Sequence, residues 1–269
     1  MSRVEEDPTT VPTRREPPQF RRAQVRRVEP LSPRMARVTL AGPDLEGLTV
    51  PHPAASVRLL LPSPGTRELV MPTWERNEFL LPDGQRATIR TFTPRRVDPE
   101  ALELELDVVI HDGDGVACRW AQGAEPGDPA AVSGPGRGYT FDADAPGFLL
   151  AGDETAIPAI SQLLEALPAE TPVQVLVEVA QPDARLGLSE HRRATVQWCD
   201  LAPGSPPGDA LVAAVRDADL VAGVRVWAAG EAASMQRIRR HLFDDRELPR
   251  VQTAVRGYWK HGRRGGPDA

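Results

Sequence analysis

Arg90-Thr91-Phe92-Thr93-Pro94-Arg95 ends a β-type run that opens at Ala87-Thr88-Ile89. Six residues carry a cation, an aromatic face, a hydroxyl and a second cation. Side chains of an extended chain alternate between faces. Arg90, Phe92 and Pro94 therefore share one face, and Thr91, Thr93 and Arg95 the other. Such parts suit a flat, electron-accepting ring with a phosphate tail: an aromatic to stack on, a hydroxyl for a ring heteroatom, an arginine for phosphate or ring oxygens. The same pattern also describes an edge strand with an exposed Phe and paired arginines.

Working outward, the first half is all strands at short spacing. Phe20 to Glu29 is a strand, Pro30-Leu31-Ser32-Pro33 its turn, and Met35 to Ala41 the partner. Ser56 to Leu61 is a third strand. Gly65 to Gln85 is irregular, rich in Pro and Gly. Leu102 to Asp107 alternates apolar and acidic residues, and Val108-Val109-Ile110 completes that strand. An antiparallel sheet or small barrel follows. Next, His111-Asp112-Gly113-Asp114-Gly115 is a tight turn feeding a short helix, Val116 to Gly123. Backbone N–H groups and the positive dipole end at such a helix start suit a pyrophosphate, although an ordinary strand-to-helix turn has the same pattern. Ala130 to Ser133 is the last strand of this half, and 142–146 a linker.

Beyond the linker the period changes. Phe148 to Gly152 is a short buried strand, and Ile157, Ile160, Leu164 and Leu167 follow at helical spacing. Val173 to Val179, Ala194 to Cys199, Val224 to Ala228 and Val251 to Trp259 are strands. Ala210 to Leu220 and Glu231 to Phe243 are helices. Strands alternating with helices give a parallel α/β sheet, whose ligands bind beyond the carboxyl ends of the strands. The fold class is thus a two-domain β plus α/β chain: a barrel over 20–141 and a Rossmann-like domain over 147–262.

The 269 residues suffice for two modest cores. A mixed charge with a net of −6 argues against a nucleic-acid binder. Arginine dominates the cations; Lys260 is the one lysine. No apolar run reaches the roughly 20 residues of a membrane span, so no membrane insertion is expected. Met1 to Glu6 lacks an apolar leader, which makes the cytoplasm the expected location. Residues 1–19 and 263–269 have the composition of disordered tails. Two cysteines, Cys118 and Cys199, cannot hold a four-Cys cluster, and the five histidines have no metal-ligand spacing. Any electrons must ride on an organic cofactor.

The opening hexapeptide resembles the R-x-Y-T-x-R flavin motif of the siderophore-interacting proteins, flavin-dependent ferric-siderophore reductases within the ferredoxin–NADP reductase superfamily. Phe92 stands where that family has Tyr, which keeps stacking and loses a phenol. His111 to Ala121 resembles the family's H-G-x-x-G-P-A-S/T-x-W-A flavin-diphosphate segment, with Val116 for Pro and Cys118 for the hydroxyl residue. Gly134-Pro135-Gly136-Arg137-Gly138 resembles its G-P-x-G loop. Gly152-Asp153-Glu154-Thr155-Ala156-Ile157-Pro158-Ala159 and Trp227-Ala228-Ala229-Gly230-Glu231 resemble its G-D-E-T-A and W-x-A-G-E nicotinamide motifs. Gly257-Tyr258-Trp259-Lys260-His261-Gly262 resembles its ending.

The resemblance implies an NAD(P)H:ferric-siderophore oxidoreductase. FAD would be held by Arg90, Thr91, Phe92, Thr93, Arg95, His111, Gly115, Ala117, Cys118 and Trp120. NADPH or NADH would be held by Asp153, Glu154, Thr155, Ala156, Gly230 and Glu231, and Trp259 would pack over the flavin or the nicotinamide, unless it is simply buried by an edge strand. After the strand ending at Val179, Arg185 suits a 2′-phosphate and Asp183 a 2′-hydroxyl, with NADPH the favoured donor. Basic residues Arg58, Arg137 and Lys260 would collect the anionic ferric siderophore. No acid–base dyad and no resident metal are expected, and the chain is expected to act as a monomer. The rival readings are a general flavin or quinone reductase and a siderophore-binding module without catalysis.

Overall fold

The computed structural model describes residues 19–75, 77–111, 113 and 115–262. Apart from residue 19, the two expected tails lie outside them.

The first half runs β1 (Arg21–Ser32), β2 (Met35–Ala41), β3 (Val57–Leu60), β4 (Thr73–Glu75), β5 (Glu78–Leu80), β6 (Ile89–Phe92), β7 (Pro94–Asp98), β8 (Glu103–Val109), α1 (Val116–Gly123) and β9 (Pro129–Ser133). Seven of these strands form one antiparallel sheet in the order β6-β3-β9-β1-β2-β8-β7. Its two outermost strands are consecutive in the chain. β6 ends at Phe92 and β7 begins at Pro94, so Thr93 alone spans both edges. The sheet must curl until its edges meet, which gives the expected barrel-like form.

Alternation explains the two faces. Leu104, Leu106 and Val108 point inward with Val25, Val38, Leu40, Leu59 and Val132. Glu103, Glu105 and Asp107 point outward to arginines. Arg27 reaches Glu103 and Glu105 from β1, and Arg37 donates to Asp107 at 2.7 Å.

Three local expectations change. The turn after β1 is Pro33-Arg34, not 30–33, because Ser32 pairs with Met35. Pro30 is tolerated where the register slips between Pro30 and Ser32. The organising strand, expected to run to Pro94, ends at Phe92, and Pro94 opens a separate strand, β7, at its first position, where its missing N–H costs little. The 65–85 segment contains the β4–β5 ribbon, whose Phe79 packs against Trp74 and Phe20 and covers Leu60 on the outer face of the sheet.

The second half runs β10 (Phe148–Gly152), α2 (Ile157–Ala166), β11 (Val173–Val179), β12 (Ala194–Asp200), α3 (Asp209–Asp217), β13 (Arg225–Glu231), α4 (Ala232–Arg240) and β14 (Thr253–Trp259). All five strands are parallel, in the order β12-β11-β10-β13-β14. The chain leaves β10 toward β11 and β12, then returns to its other side for β13 and β14. That reversal makes the carboxyl ends of β10 and β13 a topological switch point, where α/β folds bind ligands. α2 covers one face through Ile157, Ile160 and Leu163, while α3 and α4 cover the other. α4 ends at Arg240, short of the expected Phe243, and passes into a wider π-type turn over His241–Asp245.

Leu59 is fully buried in the middle of the strand that joins β6 to β9. Leu59→Ala should cost about 2–5 kcal/mol. Val251, 84% exposed, should cost less than about 0.5 kcal/mol when changed to Ser. Urea titrations of both variants check this, and equal costs would contradict the barrel core described here.

Candidate functional site

The hexapeptide lies on the seam of the barrel, against the second half of the chain. Thr93 is buried, and its hydroxyl lies 3.4 Å from the Tyr258 hydroxyl on β14. Tyr258 in turn packs edge-on against Trp227 of β13. Burial pushes the Tyr258 phenol up from its usual pKa, against the Thr93 hydrogen bond. Arg90 is half-buried opposite Leu59, and its guanidinium donates to the Ile89 carbonyl at 2.7 Å. Burial lowers its pKa from the ordinary arginine value, which marks a desolvated cation. Phe92 opposes Val57 and packs partly into the barrel core, while Thr91 is exposed. Arg95 turns to the second half, donating to Glu165 of α2 at 2.6 Å and to Ser189 at 3.1 Å.

The 111–118 loop is closed by a thiol. Cys118 Sγ accepts from the His111 N–H at 3.3 Å and donates to the His111 carbonyl at 3.2 Å. A Cβ on Gly115 would come within 2.9 Å of the His111 ring. The imidazole therefore folds back over the loop only because that position is glycine. Gly115 is the N-cap of α1 and offers no side chain to it. Ala117 is half-buried, and the buried Trp120 Nε1 has no partner among the described residues.

At the switch point, Asp153 is a hub. Its Oδ1 accepts from the Thr155 N–H at 2.9 Å and the Thr155 hydroxyl at 2.5 Å. Its Oδ2 accepts from the Glu231 N–H at 2.9 Å and from Trp259 Nε1 at 2.7 Å. A Cβ on Gly230 would sit 2.6 Å from that oxygen, and Gly230 has a φ of 156°. Glycine is thus required there by both space and backbone. Burial pushes the Asp153 carboxyl up, and the donors around it pull it partly back. Glu231 caps α4, accepting from the Ser234 N–H at 2.9 Å, and also accepts from the His261 N–H at 3.2 Å. Glu178 at the end of β11 accepts from Gly208 and Leu211 at the start of α3. Glu154 is bound by Arg34 and by the Ala180 N–H. Ala156 is fully buried against Gly152. The carboxylates expected to meet a nucleotide therefore all cap or tie the chain's own backbone, and Asp153 draws Thr155, Gly230, Glu231 and Trp259 together.

Three further residues join the halves. Gln162 of α2 donates to the Pro94 carbonyl at 2.6 Å and accepts from the Ala54 N–H at 2.9 Å. Arg256 of β14 donates to the carbonyls of Ala54, Arg137 and Gly138. Arg34 is the third. Nothing in their sequence neighbourhoods distinguishes them; a helix position, a strand position and a turn position are all that the pattern offers. Arg58, Arg137 and Lys260 are exposed. Arg256 brings the Arg137 loop against the strand that leads to Lys260, whereas Arg58 lies over the Phe79 ring at 5.7 Å.

A hydrogen bond to a charged group contributes about 1.5–3 kcal/mol. Trp259→Phe removes one from Asp153. The folded Asp153 pKa lies above its unfolded value, so this group favours folding at acid pH and loses that contribution as pH rises through the folded value. Losing the indole donor weakens the ionised form further. The cost of Trp259→Phe should therefore be larger at neutral pH than below the folded Asp153 value. Urea midpoints measured against pH check it, and a cost independent of pH would contradict the pairing.

Two family profiles divide the chain between them: the siderophore-interacting FAD-binding domain over residues 24–139 and the siderophore-interacting protein over 145–262. A siderophore utilization protein from T. fusca is 36% identical and superposes with a TM-score of 0.82 over 94% of this chain and 98% of its own. The siderophore-interacting protein SipS of Aeromonas hydrophila is 31% identical, with a TM-score of 0.77 over 91% and 93%. Ferric vibriobactin reductase ViuB of Vibrio cholerae is 26% identical over 87% of this chain and 86% of its own. Barrel, switch point and both profiles fall in one order along the sequence, and the chain belongs to the siderophore-interacting protein family, with an FAD-binding half ahead of its α/β half.

Proposed function

We propose that the chain is a ferric-siderophore reductase that draws its electrons from NAD(P)H through FAD. The observation that carries this reading is the contact between Thr93 and Tyr258. It sets the flavin-motif strand directly against β14, beside the switch point of the α/β sheet. A hydride donor held at that switch point would lie next to a ring held on the barrel seam. The likeness to ferric vibriobactin reductase supports the reaction class.

The residues fit a flavin dinucleotide. α1 starts at a residue with no side chain to cap it, so its first N–H groups suit a diphosphate. The buried Trp120 Nε1 is a donor with no partner among the described residues. Arg90 is a desolvated cation, and Phe92 offers a stacking face. Cys118 spends its thiol on His111, so its share is the backbone N–H, as for Ala117; His111 and Gly115 shape the loop. Bound FAD supplies the step from a two-electron hydride donor to the one-electron acceptor Fe(III). Siderophore oxygens hold hard Fe(III) far better than Fe(II), so reduction releases the iron. Thr91, Thr93 and Arg95 frame the ring, with Arg95 acting through Glu165.

For the nucleotide, Asp153, Thr155, Ala156, Gly230, Glu231 and Trp259 form the floor of the crevice. Arg185 is the residue that favours NADPH over NADH, and it is paired with Asp200 at 2.5 Å. Arg58, Arg137 and Lys260 are the proposed collectors of an anionic ferric siderophore. We place the protein in the cytoplasm as a monomer. Among the described residues, no helix is long and apolar enough to cross a membrane.

The purified protein should be yellow and release FAD on denaturation; a colourless protein that does not take up FAD would sink the reading. Arg90→Ala should weaken FAD binding by about 1.5–3 kcal/mol, measured by flavin titration of the apoprotein. Replacing Arg58, Arg137 and Lys260 together with Ala should raise the KM for an anionic ferric siderophore and flatten its salt dependence. Flavin content and reduction by NAD(P)H should be unchanged. An unchanged KM at low salt would move the substrate site elsewhere.

A further inference from the structure

We propose that Arg34 is a positioning residue for electron transfer, holding the nucleotide side of the site in register with the flavin side through Glu154. Arg34 sits in the two-residue turn between β1 and β2, and its backbone is fixed at both ends. Its N–H donates to Ser32 Oγ at 3.1 Å, and its carbonyl accepts from Ile110 at 2.8 Å. Ile110 is the residue immediately before the His111 loop. The backbone of Arg34 thus carries the entrance of the proposed diphosphate loop.

The side chain goes the other way. Nε lies 2.9 and 3.0 Å from the two Glu154 oxygens, and a terminal guanidinium nitrogen lies 2.9 Å from Oε2. Glu154 Oε1 also accepts from the Ala180 N–H at 3.0 Å. Glu154 lies in the switch-point turn between Asp153 and Thr155. Ala180 is the first residue after β11, where a nucleotide ribose is read in such sheets. One arginine therefore touches the diphosphate loop through its backbone, and the switch point and the exit of β11 through its side chain. The Glu154 side chain is 8% exposed and that of Arg34 24%, so water does little to loosen the pair. Leu31, Met35 and Val109 flank the turn and pack into the core under α2, which anchors it against rocking. Glu154 is consumed by these bonds and acts as a tether, not as a ligand of the nucleotide.

The consequence concerns geometry. Transfer between two bound partners is steep in distance, and a displacement of about 1 Å can cost on the order of 100-fold in rate. Loss of the tether should therefore slow the half-reaction that spans both halves of the chain. It should spare the half-reaction that involves the barrel alone.

This inference rests on the proposed route from nucleotide to flavin, and the test separates the two. Removing only one partner would strand a buried charge, so the main variant is the double Arg34→Met, Glu154→Met, which also removes the acceptor of the Ala180 N–H, with Arg34→Lys as the conservative control. Each is purified with its flavin. Stopped-flow reduction of the flavin by NADPH and by NADH should be at least tenfold slower in the double variant, with Arg34→Lys in between. Oxidation of the dithionite-reduced protein by a ferric siderophore should match the parent, as should flavin content. Exchange of the Ala180 amide with solvent deuterium should speed up. Nucleotide reduction at the parent's rate would overturn the inference, as would loss of flavin or unchanged Ala180 exchange. If neither nucleotide reduces the parent, the donor assignment falls; the tether is then judged on Ala180 exchange with flavin retained.

Discussion

One residue ties the barrel shut. β6 and β7 are opposite edges of a seven-stranded sheet, and Thr93 is the whole connection between them. A flat sheet of that order would hold its edges six strand spacings apart, roughly 29 Å at about 4.8 Å per strand, and the two steps from Phe92 to Pro94 span at most about 7 Å. The sheet has to close on itself. That curl brings the two edges together and buries Thr93 where the two halves of the chain meet. The hexapeptide proposed to hold the flavin is thus also the covalent seam of its scaffold. Its position is set by the sheet as a whole, which suits the proposed duty of holding an aromatic ring steadily.

The junction between the halves is fastened by side-chain-to-backbone bonds around an apolar centre. Gln162 and Arg256 both reach backbone groups of the 54–94 and 137–138 segments, and Met35, Ala54, Tyr139 and Phe141 enter the core of the second half. Arginine suits this duty because its planar fork keeps several donors aligned at once. Ordinary interfaces between domains are polar and slide. Here apolar packing sets the distance and the forks set the register.

Much of this was legible in the residues. The alternation of Leu102–Asp107 and the helical spacing of Ile157, Ile160 and Leu164 each gave the right element, because burial on one face is a local property of the pattern. The β4–β5 ribbon was hidden because its strands are three residues each and lie among turn residues. The extension of β7 past Pro94 was hidden because proline ends most strands but is allowed at the first position of one. The site was legible in its motifs and not in its bonds. Asp153, Gly230, Glu231 and Trp259 belong to three separated stretches, and only the parallel register, with Glu231 beside Trp259, puts them on one carboxylate. The motif that contains Glu154 gives no sign that its partner lies 120 residues earlier.

Charge divides the two halves of the site by the same rule that builds its helices. A helix N-terminus attracts anions whether they come from a ligand or from the chain. In the α/β half the chain has supplied its own: Asp153 at the turn leading into α2, Glu178 at α3 and Glu231 at α4. In the barrel half, α1 begins at Gly115, which has nothing to give. Among the described residues no side chain caps the start of α1, while the turn into α2 and the starts of α3 and α4 are tied to the protein's own carboxylates. This asymmetry fits the proposed pairing of FAD with NAD(P)H. A flavin that stays through many turnovers benefits from a diphosphate held at a helix end. A nucleotide that must leave after each one is better met by a crevice whose strongest anion sites are occupied by the protein's own carboxylates.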